Sequence, residues 1–318
     1  MPDNKIKILS IAGPTASGKT ALSVSLASML SGEIISADSM QIYKGMDIAT
    51  AKPDSQERKG IVHHLMDFLP PDELYSVARF VEDAKKAIHD ICARKKLPII
   101  VGGTGLYTDS LLNGISFCEE EVDLELRKSL QQRLEDIGID AMLSELSEFD
   151  PESAEKFAIE RNPKRIVRAF EVYKTTGVTF SKQNLLSKSV ESIYAPVKIA
   201  LNFRDREKLY DRINQRVDLM MSKGLLEEAK LYFSLNISDT SKQAIGYKEL
   251  KPYFDEEKSL EECIDTLKQS TRRYAKRQIT WFKRDENIKW FYVDDYSDYQ
   301  ELLENVVVYL SNKGFDFS

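Results

Sequence analysis

The chain has 318 residues, of which 42% are hydrophobic and 30% charged, with a net charge of −6 at neutral pH. That balance is ordinary for a soluble globular protein of one large domain plus an insert, or of two domains. No run approaches eighteen apolar residues, no apolar leader segment opens the sequence, and Cys92, Cys118 and Cys263 form no C-x-x-C pair; membrane span, secretory signal, zinc site and disulfide framework are therefore not expected. The expected setting is a reducing cytoplasm.

"KIKILSIAG" (5–13) is nearly continuous apolar sequence, the mark of a strand buried on both faces. It runs into "GPTASGKT" (13–20), a complete G-x-x-x-x-G-K-[ST] phosphate loop followed by a helical pattern that stops at Gly32. Gly13 and Gly18, with Pro14, Thr15, Ala16 and Ser17 between them, let backbone N–H groups turn onto phosphate oxygens. Lys19 is expected to neutralise the outer phosphate and Thr20 to ligate Mg²⁺. A second short strand, "GEIISAD", ends on Asp38. At the mouth of a parallel sheet this carboxylate has three roles open to it: holding magnesium through water, accepting a proton, or capping the next turn.

"HLMDF" (64–68) is a possible third strand, and the adjacent His63 and His64, on opposite faces of it, do not share a metal. The stretch from Ser76 to Lys96 places Val77, Phe80, Val81, Ala84, Ile88 and Ile91 on one helical face. "LPIIVGGTG" repeats the strand-into-glycine pattern and sets Thr104 near the phosphates, although a strand-to-helix turn needs such glycines in any case. From about 115 to 195 the pattern is charged and helical with no strand until "PVKIALNF" (196–203). Helical pattern then continues on either side of Gly224, "IKWFYV" (288–293) is a final strand, and 298–313 a closing helix. Strands alternating with helices predict an α/β fold: a P-loop parallel sheet core (1–114 and 196–318) with helices on both faces and a helical insertion domain at 115–195.

Three charged motifs remain. "DDYSD" (294–298) has the spacing of a magnesium-diphosphate carboxylate cluster, but it follows a strand in a loop instead of lying on a helix, so a solvated acidic turn is expected. Arg161, Arg165 and Arg168 form a stripe on a helix starting near Pro163, which a solvated face also explains. "KQSTRRYAKRQITWFKR" (268–284) holds seven Lys/Arg and no acid in an otherwise acidic chain. Such a concentration is costly unless an anion meets it, and a nucleic-acid backbone is the fitting anion.

Together, "GPTASGKT", "SADSMQIYKGMDIATAKP" (36–53), "HHLMDF", "LPIIVGGTGLY", "NPKRIVRAFEVYKTTG" (162–177), "QAIGYKEL" (243–250) and "KRQITWFKR" (276–284) resemble, in order and over nearly the whole length, the bacterial tRNA dimethylallyltransferases. The resemblance implies that the loop holds the diphosphate of dimethylallyl diphosphate. The dimethylallyl group would then pass to N6 of the adenosine 3′ to the anticodon in tRNAs reading codons that begin with U. It implies Asp38 as general base, Thr104 beside the reacting centre, and Lys19 and Arg212 on the diphosphate, with Mg²⁺ held through Thr20. It further implies tRNA contacts at Asp38, Ser39, Met40 and Gln41; at Arg127; at Asn162, Pro163, Lys164, Arg165 and Ile166; and at Lys242, Gln243, Ala244, Ile245, Gly246 and Tyr247. The remaining contacts would be Arg273, Lys276, Arg277, Gln278 and Trp281. The implied partners are a tRNA anticodon stem-loop and the prenyl donor, with the enzyme acting as a monomer. The insert and the basic helix are expected to flank the cleft for the stem-loop. An ATP-dependent small-molecule kinase and a nucleotide-switched RNA-binding protein are the alternatives that the phosphate loop alone allows.

Overall fold

The computed structural model of the chain describes residues 5–115, 123–187, 192–235, 237–238 and 240–317. Six strands, β1 (Ile6–Ala12), β2 (Gly32–Ser36), β3 (His63–His64), β4 (Leu97–Val101), β5 (Tyr194–Asn202) and β6 (Lys289–Tyr292), form one sheet in the order β3-β2-β4-β1-β5-β6, with every neighbour parallel. The register sets Ser36 opposite Val101, Ile11 opposite both Val101 and Ile199, and Asn202 opposite Tyr292. The carboxyl ends of the strands therefore open onto one edge, where ligands of parallel sheets bind. β3 is shorter than the sequence pattern suggests because Leu65 and Asp67 adopt left-handed φ values of 56° and 58°, which turn the chain out of the sheet.

Alternation along the strands covers both faces. Leu9, Ile11, Ile34, Ile99, Ile199 and Leu201 pack under α1 (Lys19–Met29), through Leu22 and Leu26, and under the closing helix through Leu302, Val306 and Leu310. Ile8, Ile35 and Ile100, pointing the other way, are equally buried. After α1 come α2 (Ser55–Arg58), α3 (Val77–Ala93), which buries its predicted apolar face, and α4 (Gly105–Leu112). There follow α5 (Leu124–Phe149), α6 (Pro151–Glu160), α7 (Pro163–Thr176), α8 (Phe180–Ser187), α9 (Arg206–Ser222), α10 (Leu225–Ser234), α11 (Lys251–Phe254), α12 (Leu260–Phe282) and α13 (Tyr299–Asn312).

The chain divides into two compact units, one of residues 1–112 and 193–318, the other of 113–192. The second unit, α5 to α8, has its own core of Leu130, Met142, Leu146, Phe157, Ile166 and Phe170. α5 is broken at Gly138, whose φ of 80° and ψ of 168° are not helical. The arginine stripe is compensated within this unit: Arg161 pairs with Asp140, Arg165 with Glu160, and Arg168 with the buried Glu171. In the first unit, Asp295 and Asp298 of "DDYSD" are exposed, as a solvated turn predicts, but each acid also has a structural task. Asp294 accepts the backbone N–H groups of Arg204 (2.8 Å) and Asp205 (3.0 Å) just before α9, Asp295 pairs with Arg204, and Asp298 caps α13. Burial pushes the Asp294 carboxyl up, but those two N–H groups outweigh it and hold it below the usual range.

Candidate active site

The phosphate loop leaves β1 at Gly13, pressed so closely on β5 that a Cβ there would lie 2.4 Å from the Leu201 carbonyl oxygen. Gly18, at a left-handed φ of 96°, turns the chain into α1, whose first residues are Lys19 and Thr20. Pro14 and Ala16 face the Lys19 and Arg212 side chains through their carbonyls: Lys19 Nζ donates to Pro14 (2.6 Å) and Arg212 Nε to Ala16 (3.0 Å). The Ser17 hydroxyl is buried and has no partner.

Arg216, one turn after Arg212 on α9, is a candidate site residue that the motifs of the sequence do not single out. Its Nε is buried and unpartnered, and its guanidinium shares an electrostatic environment with Lys19, Arg212 and Asp38. The i, i+4 spacing in "DRINQRV" was the available signal, since both arginines must lie on one face. Burial, and then the Arg216 charge, bring the Lys19 ammonium down to about 7, while Asp38 opposes the shift. Burial likewise lowers Arg216, with Asp38 and Glu57 opposing and Arg212 adding. Three cations thus gather at the glycine loop with the carboxylates of Asp38 and Glu57 near them, an arrangement that an anion relieves.

Asp38 follows β2 directly. Its Oδ1 accepts from the N–H of Met40 (2.9 Å) and more weakly from Gln41 (3.4 Å), so it does cap its turn. Its other oxygen has no hydrogen bond among the described residues and is left for chemistry. Thr104, after β4, meets the same turn: its N–H donates to the Ala37 carbonyl (3.2 Å) and its Oγ accepts from Ser39 N–H (3.1 Å). Tyr274 of α12 closes the group; burial and the Asp38 charge raise its phenol, and its hydroxyl faces Thr104 and Gln278. Hydroxyl donors at Ser17 and Thr20 suit a hard divalent cation that takes its remaining oxygens from a phosphate. Among the described residues no group of three or more His, Cys, Asp or Glu forms a metal cage.

A model of the IPP transferase family matches residues 41–285, and one described as isopentenyl transferase matches 6–67. The chain belongs to the IPP transferase family. A tRNA dimethylallyltransferase from Thermoanaerobacter sp. (strain X514) is 48% identical over 311 residues, 97% of this chain and 98% of that protein. The corresponding protein of Bacillus cereus (strain AH187) is 46% identical, covering 96% of each. The crystal structure of the full-length tRNA isopentenylpyrophosphate transferase from Bacillus halodurans matches with a TM-score of 0.72 at 42% identity, over 97% of both chains. A eukaryotic dimethylallyltransferase captured acting on tRNA matches with a TM-score of 0.79 at 32% identity, over 96% of this chain and 79% of that one.

The expected RNA-contact positions of this family are distributed unevenly. Exposed are Asn162, Pro163 and Lys164, together with Lys242, Arg273, Lys276 and Arg277; Ser39, Met40 and Ile245 are half-buried. Ile166, Ala244, Tyr247 and Gln278 are buried. Tyr247 stacks on Tyr232 and donates to Glu228, whose carboxylate also accepts the N–H groups of Asp47, Ile48 and Ala49. Gly246 gives its N–H to Glu249, and Gln41 is tied to Ser36 and to the carbonyls of Thr50 and Ala51. Arg127 is held by Glu171, and Arg165 by Glu160. Trp281 gives its indole N–H to Asp109. The Gln243 side chain lies outside the described residues. No described helix is long and apolar enough to cross a membrane.

Proposed function

We propose that this protein transfers the dimethylallyl group of dimethylallyl diphosphate to N6 of the adenosine 3′-adjacent to the anticodon in tRNAs that read U-starting codons, releasing diphosphate. The observation that carries the reading is the convergence of Lys19, Arg212 and Arg216 on the glycine loop, with Asp38 across from them. Cleavage of the allylic C–O bond leaves negative charge on diphosphate, and pre-oriented cations and loop N–H groups stabilise it as it forms. Thr20 would hold a magnesium ion, which would add to the neutralisation of the diphosphate charge.

The adenine amine is a poor nucleophile because its lone pair is delocalised into the ring. Asp38 takes its proton as the new C–N bond forms, a contribution of about 10²–10⁴-fold. Thr104, fixed by Ser39 and Ala37, orients the amine beside that carboxylate. An adenine stacked in its loop does not reach such a site, so the base is extruded at a cost of a few kcal/mol, offset by phosphate contacts to the exposed cations of α12. The protein acts as a monomer in the cytoplasm on this reading.

Mass analysis of tRNA nucleosides after incubation with dimethylallyl diphosphate and magnesium tests it. One dimethylallyl increment on one adenosine per tRNA is expected; tRNA that gains no mass sinks the proposal.

A further inference from the structure

The two faces of α12 have different partners. Its outward residues Arg273, Lys276 and Arg277, and Lys283 just after it, are exposed and enter no ion pair among the described residues, whereas Lys268 of the same helix is paired with Asp218 at 2.6 Å. Its inward face places Gln278, 5% exposed, between two loops of the candidate site. Gln278 Oε1 accepts the Thr15 N–H at 2.9 Å, and its Nε2 donates to the Gly103 carbonyl at 3.1 Å. The seat is tight: a Cβ on Gly103 would stand 2.0 Å from that amide nitrogen. One turn further on, Trp281 is bonded to Asp109 of α4 at 2.7 Å, fixing the helix against the same edge.

One buried amide therefore ties together the loop expected to hold the diphosphate and the turn that carries Thr104, and through Thr104 the Ser39–Asp38 turn. The Thr15 N–H is committed to Gln278, so the amide fixes the direction in which the rest of the loop's N–H groups point. Both bonds depend on where α12 sits. An anion bound to the outer face of α12 and an anion bound in the loop act on one shared element.

We propose that Gln278 is a positioning residue that couples the two substrates, an inference that rests on the function proposed above. RNA docking on the outward cations favours the seating of α12 in which both amide bonds are made. That seating shapes the loop for diphosphate, and diphosphate in the loop favours RNA docking by the same factor, because coupling of binding free energies is reciprocal.

The test is to titrate inorganic pyrophosphate into the full-length protein with and without saturating anticodon stem-loop RNA, and then to reverse the order. The wild type is expected to bind each ligand about five-fold or more tightly in the presence of the other. In Gln278→Ala the factor is expected to fall to one while each ligand still binds alone. Gln278→Glu keeps the volume and the acceptor for Thr15 but sets an oxygen against the Gly103 carbonyl, so it is expected to lose the coupling as well; it serves as the second variant should the alanine protein fail to fold. A folded variant that keeps the wild-type factor overturns the proposal, since a merely structural role for Gln278 leaves that factor unmoved. Wild type that binds both ligands with a factor of one overturns the coupling alone. Wild type that binds pyrophosphate but no RNA overturns the proposed function, and the coupling with it.

Discussion

The two oxygens of Asp38 differ: Oδ1 holds its own turn, and the second has no hydrogen bond among the described residues. Asp38→Asn preserves an acceptor for the turn but removes the proton acceptor. Turnover is expected to fall by about 10²–10⁴-fold with donor affinity little changed; steady-state kinetics at near wild-type kcat would remove Asp38 from the chemistry. Lys19 gives a pH signature. Its ammonium titrates at about 7 in the free protein, and a bound diphosphate raises it again. Below about pH 7 the lysine is charged in both states and affinity is level. Above it, binding must take up a proton, so affinity falls by up to tenfold per pH unit. Calorimetric titration of pyrophosphate from pH 6 to 9 checks the slope, and Lys19→Arg, which stays charged, should flatten it. An unchanged slope in that variant would place the titrating group elsewhere.

Among the elements, α12 was legible in part. Its run of uncompensated cations stood out in the sequence because no acid interrupts it, and five of them are exposed and unpaired among the described residues. Arg277→Glu is expected to weaken tRNA binding at low salt by about tenfold or more and to reduce the salt slope by about one, leaving pyrophosphate affinity alone. A loss confined to pyrophosphate would mean that the outward face of α12 is not the RNA surface. The strands and the phosphate loop were equally readable, because burial on both faces and the glycine-lysine spacing are local properties. What escaped was whatever depends on partners distant in the chain. The sequence spacing shows the stripe Arg161, Arg165 and Arg168 but not its partners Asp140, Glu160 and Glu171, which neutralise it. Gln278, inside the basic run, bonds to Thr15 and Gly103, 263 and 175 residues away, a pairing that no local pattern announces. Arg216 was passed over because nothing in its own neighbourhood says that its Nε is buried without a partner.

At the scale of the whole molecule, stability and folding draw on regions far from the chemistry. At the other end of β2 from Asp38, the buried carboxylate of Glu33 is shared by Arg94 (2.8 Å), Lys96 (2.8 Å) and His64 (2.7 Å). Its hydrogen bond with Arg94, opposed by burial and reinforced by Lys96 and His64, holds it far below the ordinary value of 4.5. Because the folded value lies below the unfolded one, its contribution is fully present above about pH 4.5 and fades only in strong acid. Glu33→Gln is expected to lower stability by about 2 kcal/mol at pH 7, the half-exposed partners reducing what a fully buried pair would lose. Urea unfolding with an unchanged slope and a lower midpoint checks this, and an unchanged midpoint would show the cluster to be dispensable. The sheet itself imposes an order of events during synthesis. β1 pairs along its whole length with β5, from Ile6 opposite Tyr194 to Ala12 opposite Ala200, and an entire helical unit is translated between them. At roughly 5–20 residues per second the first strand waits on the order of ten to forty seconds on the ribosome for its central neighbour. Gln278 is made later still, so the nascent chain carries its glycine loop without the amide that braces it against the Gly103 turn until α12 has been synthesised.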